Sequence, residues 1–176
     1  SLQNGSGCIN AEPTDVTAGK QNSLLFPDVA GGPADTALVV WADGNLVNGR
    51  IAQASPAITL TPAAANIEVS ANFVGVASPR ARVAGNESGW VVAYTGNGIE
   101  RDIFIRTVAP DGSVGAEQKV NLVDAGNQEE PAIAMQPDGS FVVAWKSQGL
   151  LYFQRYTSDG PVAGDQDEPL NASSAT

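Results

Sequence analysis

Histidine is absent from the 176 residues, and cysteine occurs once, at Cys8. Without histidine there is no Ser-His-Asp or Cys-His nucleophilic arrangement and no histidine-containing zinc site. One thiol makes neither an internal disulfide nor a thiolate metal cluster. The segment Gly5-Ser-Gly-Cys8 has the small residues of a lipid-attachment site but no apolar stretch before it. An inert thiol or an intermolecular disulfide is therefore expected at Cys8. Basic residues are also few, nine against nineteen acidic ones, for a net charge of −10. Scattered as they are, they exclude phosphate-backbone binding, which needs clustered Lys and Arg. No run reaches the roughly 18 apolar residues of a membrane-spanning helix. No signal peptide is visible, and an opening Ser in place of Met points to a trimmed or recombinant fragment. No glycine-rich loop sits between a strand and a helix to cradle phosphate.

What is plentiful is glycine (19) and proline (11), in a chain that is 43% hydrophobic and only 16% charged. Both residues penalise helix interiors, so the composition suits short strands joined by turns. Pro27, Pro79 and Pro131 stand 52 residues apart. Each precedes an apolar run ending in an aromatic: Ala37-Leu-Val-Val-Trp41, Trp90-Val-Val-Ala-Tyr94 and Phe141-Val-Val-Ala-Trp145. A period near fifty in a strand-rich chain indicates one small sheet copied several times.

The third unit is the clearest. Pro131–Met135 predicts a first strand, Gln136-Pro-Asp-Gly139 a turn, Ser140–Trp145 a second strand and Leu150–Tyr156 a third, ended by Ser158-Asp-Gly160. Asp165–Asn171 is expected to supply a fourth strand. In the second unit the strands are Arg82–Ala84, Trp90–Tyr94 and Asp102–Val108, and Glu117–Asn121 parallels Asp167–Asn171. The first unit diverges: Asn48 and Gly49 weaken its third strand, and 56–77 is an Ala- and Pro-rich stretch. The expected division is a closing strand of an absent preceding unit in 1–26, then units at 27–78, 79–130 and 131–176.

A lone four-stranded sheet cannot bury both faces, so copies must pack together. Radial packing gives a β-propeller, usually of about four to eight blades. The expectation is an all-β chain of repeated four-stranded antiparallel sheets, three blades of such a ring, with tandem β-sandwiches as the alternative. Three blades do not close a ring, so a protein partner or a second copy of the chain is expected to complete it.

The pattern Pro-x-Ile-Ala, then Pro137-Asp-Gly-Ser-Phe-Val-Val-Ala-Trp145, then Phe153-Gln-Arg-Tyr-Thr-Ser-Asp-Gly160, resembles the propeller-type repeats of large secreted bacterial surface proteins. The likeness covers about 27–176 and is strong in 79–171. It implies a secreted or cell-surface location and a scaffold or adhesive role without chemistry. Asp138-x-Ser140 with Trp145 is only loosely similar to the aspartate box of sialidases, since Gln136 stands where Ser or Thr is usual.

Only carboxylates remain as candidate chemistry. Glu129 and Glu130 are adjacent and would face opposite sides of a strand; a solvated turn is expected there. Asp165, Asp167 and Glu168 are where calcium would bind, but they offer too few oxygens and no loop glycine, so no cofactor is expected. Aromatics recurring in every copy (Trp41, Tyr94, Trp145) are assigned to packing. Residues that differ between copies are the better ligand candidates: Asn97, Glu100, Arg101 and Asp102 in a long loop, with Trp90 and Tyr152 as sugar-stacking rings. The function expected is a non-enzymatic extracellular scaffold or adhesion module; a carbohydrate-binding lectin and a fragment of a processed hydrolase are the alternatives. Asn4, Asn86 and Asn171 head glycosylation triplets, which matter only in a eukaryotic secretory host.

Overall fold

A computed structural model of the chain describes residues 24–53, 59–61, 66–70, 80–97, 100–166 and 169–171. Among these residues the protein is all β, with no helix, and the strands form three antiparallel sheets. The first sheet runs β1 (Leu24–Gly31), β2 (Thr36–Asp43), β3 (Leu46–Gln53), β4 (Thr59–Thr61), with β5 (Ile67–Glu68) also paired to β3. The middle sheet runs β6 (Ala81–Asn86), β7 (Gly89–Asn97), β8 (Arg101–Val108), β9 (Gln118–Lys119). The third runs β10 (Gln128–Met135), β11 (Phe141–Ser147), β12 (Leu150–Thr157), β13 (Gly160–Pro161). The middle and third sheets have the expected four strands. The first has five, because β4 and β5 share one edge of β3.

Local chemistry sets the reversals. The Ser113 and Ser140 amides donate to Asp111 Oδ1 and Asp138 Oδ1 at 2.8 and 2.9 Å, and Ser88 N–H donates to Asn86 Oδ1 at 2.8 Å. These side chains mimic a backbone turn. Serine hydrogen bonds also hold the Asp111 and Asp138 carboxyls below the usual carboxylate range.

Pro27 and Pro131 sit inside strands, each on a register shift. Pairing slips between Leu25 and Asp28 in β1 and between Glu129 and Ala132 in β10. The residue before each proline, Phe26 or Glu130, has φ of 53° or 56°. Proline has no N–H for the ladder, so within a sheet it belongs at an edge or a bulge. Glu129 and Glu130 therefore lie in a bulged strand and not in a turn. Pro79 falls outside the described residues, as does most of the expected 1–26 segment.

Two other expectations are corrected. The long loop after Tyr94 is largely strand: the β7–β8 ladder continues through Gly96 opposite Asp102 and Asn97 opposite Arg101. Within 165–171 no described residue is a strand; Gly160–Pro161 closes the third sheet, and Asp165 is drawn aside by Arg155.

The sheets stack in chain order, β1 against β6 and β6 against β10. One apolar core joins Leu38, Val40, Val47 and Ile51 of the first sheet to Val83, Trp90, Val92 and Tyr94 of the middle one. A second joins Val91, Ala93, Ile103 and Ile105 to Val143, Trp145 and Tyr156 of the third. Alternation along β7 explains this double duty: even-numbered residues face one neighbour and odd-numbered residues the other. Burial also pushes the Tyr156 hydroxyl up to about 12.

Candidate functional site

One arrangement recurs three times at the closing edge of the sheets. In the first, Val47 N–H donates to Ser70 Oγ at 3.0 Å, while its carbonyl accepts from Val69 N–H at 2.8 Å. In the middle, Ile103 N–H donates to Asn121 Oδ1 at 2.9 Å and its carbonyl accepts from Val120 at 2.8 Å. In the third, Leu151 N–H donates to Asn171 Oδ1 and its carbonyl accepts from Leu170, both at 2.7 Å. Val47, Ile103 and Leu151 are register equivalents, opposite Ala42, Thr95 and Lys146. A polar side chain thus clasps the third strand of every unit where backbone pairing ends, satisfying an edge amide that would otherwise need water.

The carbonyls of Val69 and Val120, whose amides pair with those strands, link one sheet to the next. Arg106, at the centre of β8, donates from Nη1 to Val69 O at 2.9 Å. Its counterpart in β12, Gln154, is too short to do this alone, and Gln166 bridges the gap. Gln166 Nε2 donates to both Gln154 Oε1 and Val120 O at 2.7 Å, and Leu122 N–H donates to Gln166 Oε1 at 2.8 Å. In β3 the equivalent position is Arg50, opposite Val39 as Arg106 is opposite Val92.

The candidates Asn97, Glu100, Arg101 and Asp102 are placed by this edge. Arg101 forms an ion pair with Glu129 of the third sheet, and its amide donates to Asn127 Oδ1 at 3.3 Å. Asp102 is buried, accepting from Asn121 Nδ2 at 2.7 Å and lying 3.1 Å from Lys119 Nζ. Lys119 also pairs with Asp124. Burial pulls the Lys119 ammonium down, but hydrogen bonds and charge from Asp124 and Asp102 outweigh it and hold it above the ordinary value. Glu100 is exposed at the hairpin tip, and Asn97 is described only through its backbone pairing. Arg101 is thus engaged in joining the middle and third sheets, and Asp102 in closing the edge of its own sheet.

Trp90 and Tyr152 lie apart from this group and from each other. Trp90 is 2% exposed, and its Nε1 donates to the carbonyls of Ala30 and Gly31 at 3.0 and 3.1 Å. Tyr152 is half-buried and stacks on Trp145, with centroids 6.2 Å apart. It lines a hollow of about 100 Å³ with Asn121, Gln128, Ser147 and Gln166. That volume is below the roughly 300–1,000 Å³ of ordinary ligand pockets. A cleft of about 350 Å³ between the middle and third sheets includes Ser88, Thr107, Ser113 and Met135 and no charged side chain.

Of the acidic cluster considered for calcium, Asp165 is committed elsewhere and Asp167 and Glu168 lie outside the described residues. Asp165 accepts the Arg155 amide at 2.7 Å and its guanidinium at 2.7 Å. The guanidinium hydrogen bonds hold its carboxyl below the usual range. A depressed folded-state pKa gives stability that is present above the unfolded pKa and lost as pH falls through the folded one, below about pH 4. Solvent screens the exposed guanidinium, so the effect is modest. Urea midpoints between about pH 2 and 5 should fall less steeply for Asp165→Asn than for the wild type; parallel acid limbs would refute this role.

Sequence reasoning missed Ser70, Arg106, Gln128 and Gln166. The parallel between Asn121 and Asn171 was a usable signal for the clasp. No family model, curated protein or solved structure matches the chain.

Proposed function

We propose that this chain is a non-enzymatic extracellular scaffold, an assembly or adhesion module whose three sheets are blades of a β-propeller. Three copies of one clasp, stacked with their first strands side by side, support the blade reading. Arg50 adds to it, since it holds in the first sheet the place from which Arg106 grips the preceding sheet. The observation that carries the functional part is the use made of the aromatics. Trp90, Tyr94 and Trp145 are at most 2% exposed. Sugar recognition by stacking needs an open ring face, and these rings are spent on joining sheets.

A glycan array probed at high protein concentration tests this against the lectin alternative. No binding above background is expected. Glycan binding that Tyr152→Ala abolishes without changing the circular dichroism would overturn the scaffold assignment.

A further inference from the structure

We infer that the far face of the third sheet is a docking face for one more sheet of this repeat, an inference that rests on the blade reading above. Each sheet presents two different faces to its neighbours. The face turned toward the following sheet carries Leu38, Val40 and Val47 in the first sheet and Val91, Ala93 and Ile103 in the middle one, all 4% exposed or less. The strand registers put Val142, Ala144 and Leu151 at those positions in the third sheet. Among the described residues nothing comparable covers them: Leu151 is 46% exposed where Ile103 and Val47 are 0%. Phe153, the counterpart of Ile105, is half-buried with Arg155 5.9 Å from its ring centroid.

The polar half of the interface is also in place. Val69 and Val120 each offer a carbonyl to the next sheet, taken by Arg106 and Gln166. Leu170 is their clasp equivalent, bonded to Leu151 as they are to Val47 and Ile103. Its side chain is 60% exposed. The face is therefore continuous in kind with two interfaces that the chain already makes, and it specifies its occupant. That occupant is an antiparallel sheet with large apolar residues alternating along its second strand and an Arg or Gln side chain reaching the Leu170 carbonyl from the centre of its third. Apolar burial would drive the docking, and the carbonyl contact would fix its register.

The test extends the full chain beyond Thr176 with a second copy of residues 76–121, which keeps the clasp-to-strand spacing found between the first and middle sheets. A parallel extension uses residues 127–171, with the spacing found between the middle and third. Hydroxyl-radical labelling of Leu151, Phe153 and Leu170 should fall in an extended chain, with Leu151 reaching the level of Ile103. Leu151→Asp should restore labelling at Phe153 and Leu170 while the original sheets stay folded by circular dichroism. Arg106→Ala in the appended copy alone should weaken the protection. Unchanged labelling with a folded appended unit overturns the inference, and so does an appended unit that stays unfolded in both extensions. A dimer of the unextended chain that Leu151→Asp disperses would assign the face to a second copy and overturn it too. Failure of the blade reading itself would show separately, in the unextended chain, as indifference of the first sheet to loss of Trp90.

Discussion

Replacing Trp90 with alanine is expected to cost about 3–5 kcal/mol. The indole fills the junction between the first and middle sheets, where it is 2% exposed among Val83, Val92 and Tyr94 of its own sheet and Leu38 and Val40 of the neighbour. Truncation leaves a cavity bounded by two backbones, which close in only partly. It also strips the Ala30 and Gly31 carbonyls of the Nε1 donor that bonds both. Losing these part-buried hydrogen bonds adds about 0.5–1.5 kcal/mol. Against a typical total of about 5–15 kcal/mol, this is enough to separate the first sheet from the rest. Urea unfolding by circular dichroism measures it. A loss below about 1 kcal/mol would mean that the ring is not the plug described.

Gly85→Ala should produce the second large loss, through crowding. A Cβ there would overlap the Gly31 carbonyl oxygen and the Trp90 ring. Overpacking costs about 1–3 kcal/mol, and the upper end is expected because a main-chain oxygen cannot rotate away as a side-chain tip can. Gly31→Ala is the matched control, since nothing lies within 4 Å of a Cβ at that position. Thermal denaturation should rank the control near wild type and Gly85→Ala well below it. Equal midpoints would refute the close approach.

The strands that could be read from sequence were those whose alternation reports burial. Val92 and Val143 face one neighbour and Val91 and Val142 the other direction, a pattern set by β geometry alone. Asn48 and Gly49 weakened the expectation for β3, yet the strand forms. Gly49 fits closely there: Leu38 Cδ1 and the Val39 carbonyl would lie 3.2 Å from a Cβ, so a larger residue would make them give by a few tenths of an ångström. The Thr95–Asp102 hairpin looked like a loop because its glycines and asparagine are turn residues, whereas cross-strand pairing decided the matter. Pro27 and Pro131 were legible as period markers but not as bulges, since only pairing register reveals a slip. The site was less legible still. Arg101 and Asp102 read as free ligand groups; Glu129 is brought to Arg101 by sheet stacking, and Lys119 and Asn121 to Asp102 by the closing edge of its own sheet. Ser70 was hidden because the end of the first unit shares no motif with Asn121 or Asn171, although the three oxygens do one job.

The central claim is that three copies of one sheet are held in a row by interfaces of the same kind, the middle sheet buried on both sides. Amide hydrogen exchange, compared between wild type and Trp90→Ala, addresses it most directly. In the wild type, β7 and β8 should exchange slowest. In the variant, β1–β3 should lose most of their protection, β6–β8 less and β11–β12 least. Slowest exchange in an outer sheet, or equal loss across all three sheets in the variant, would contradict the account.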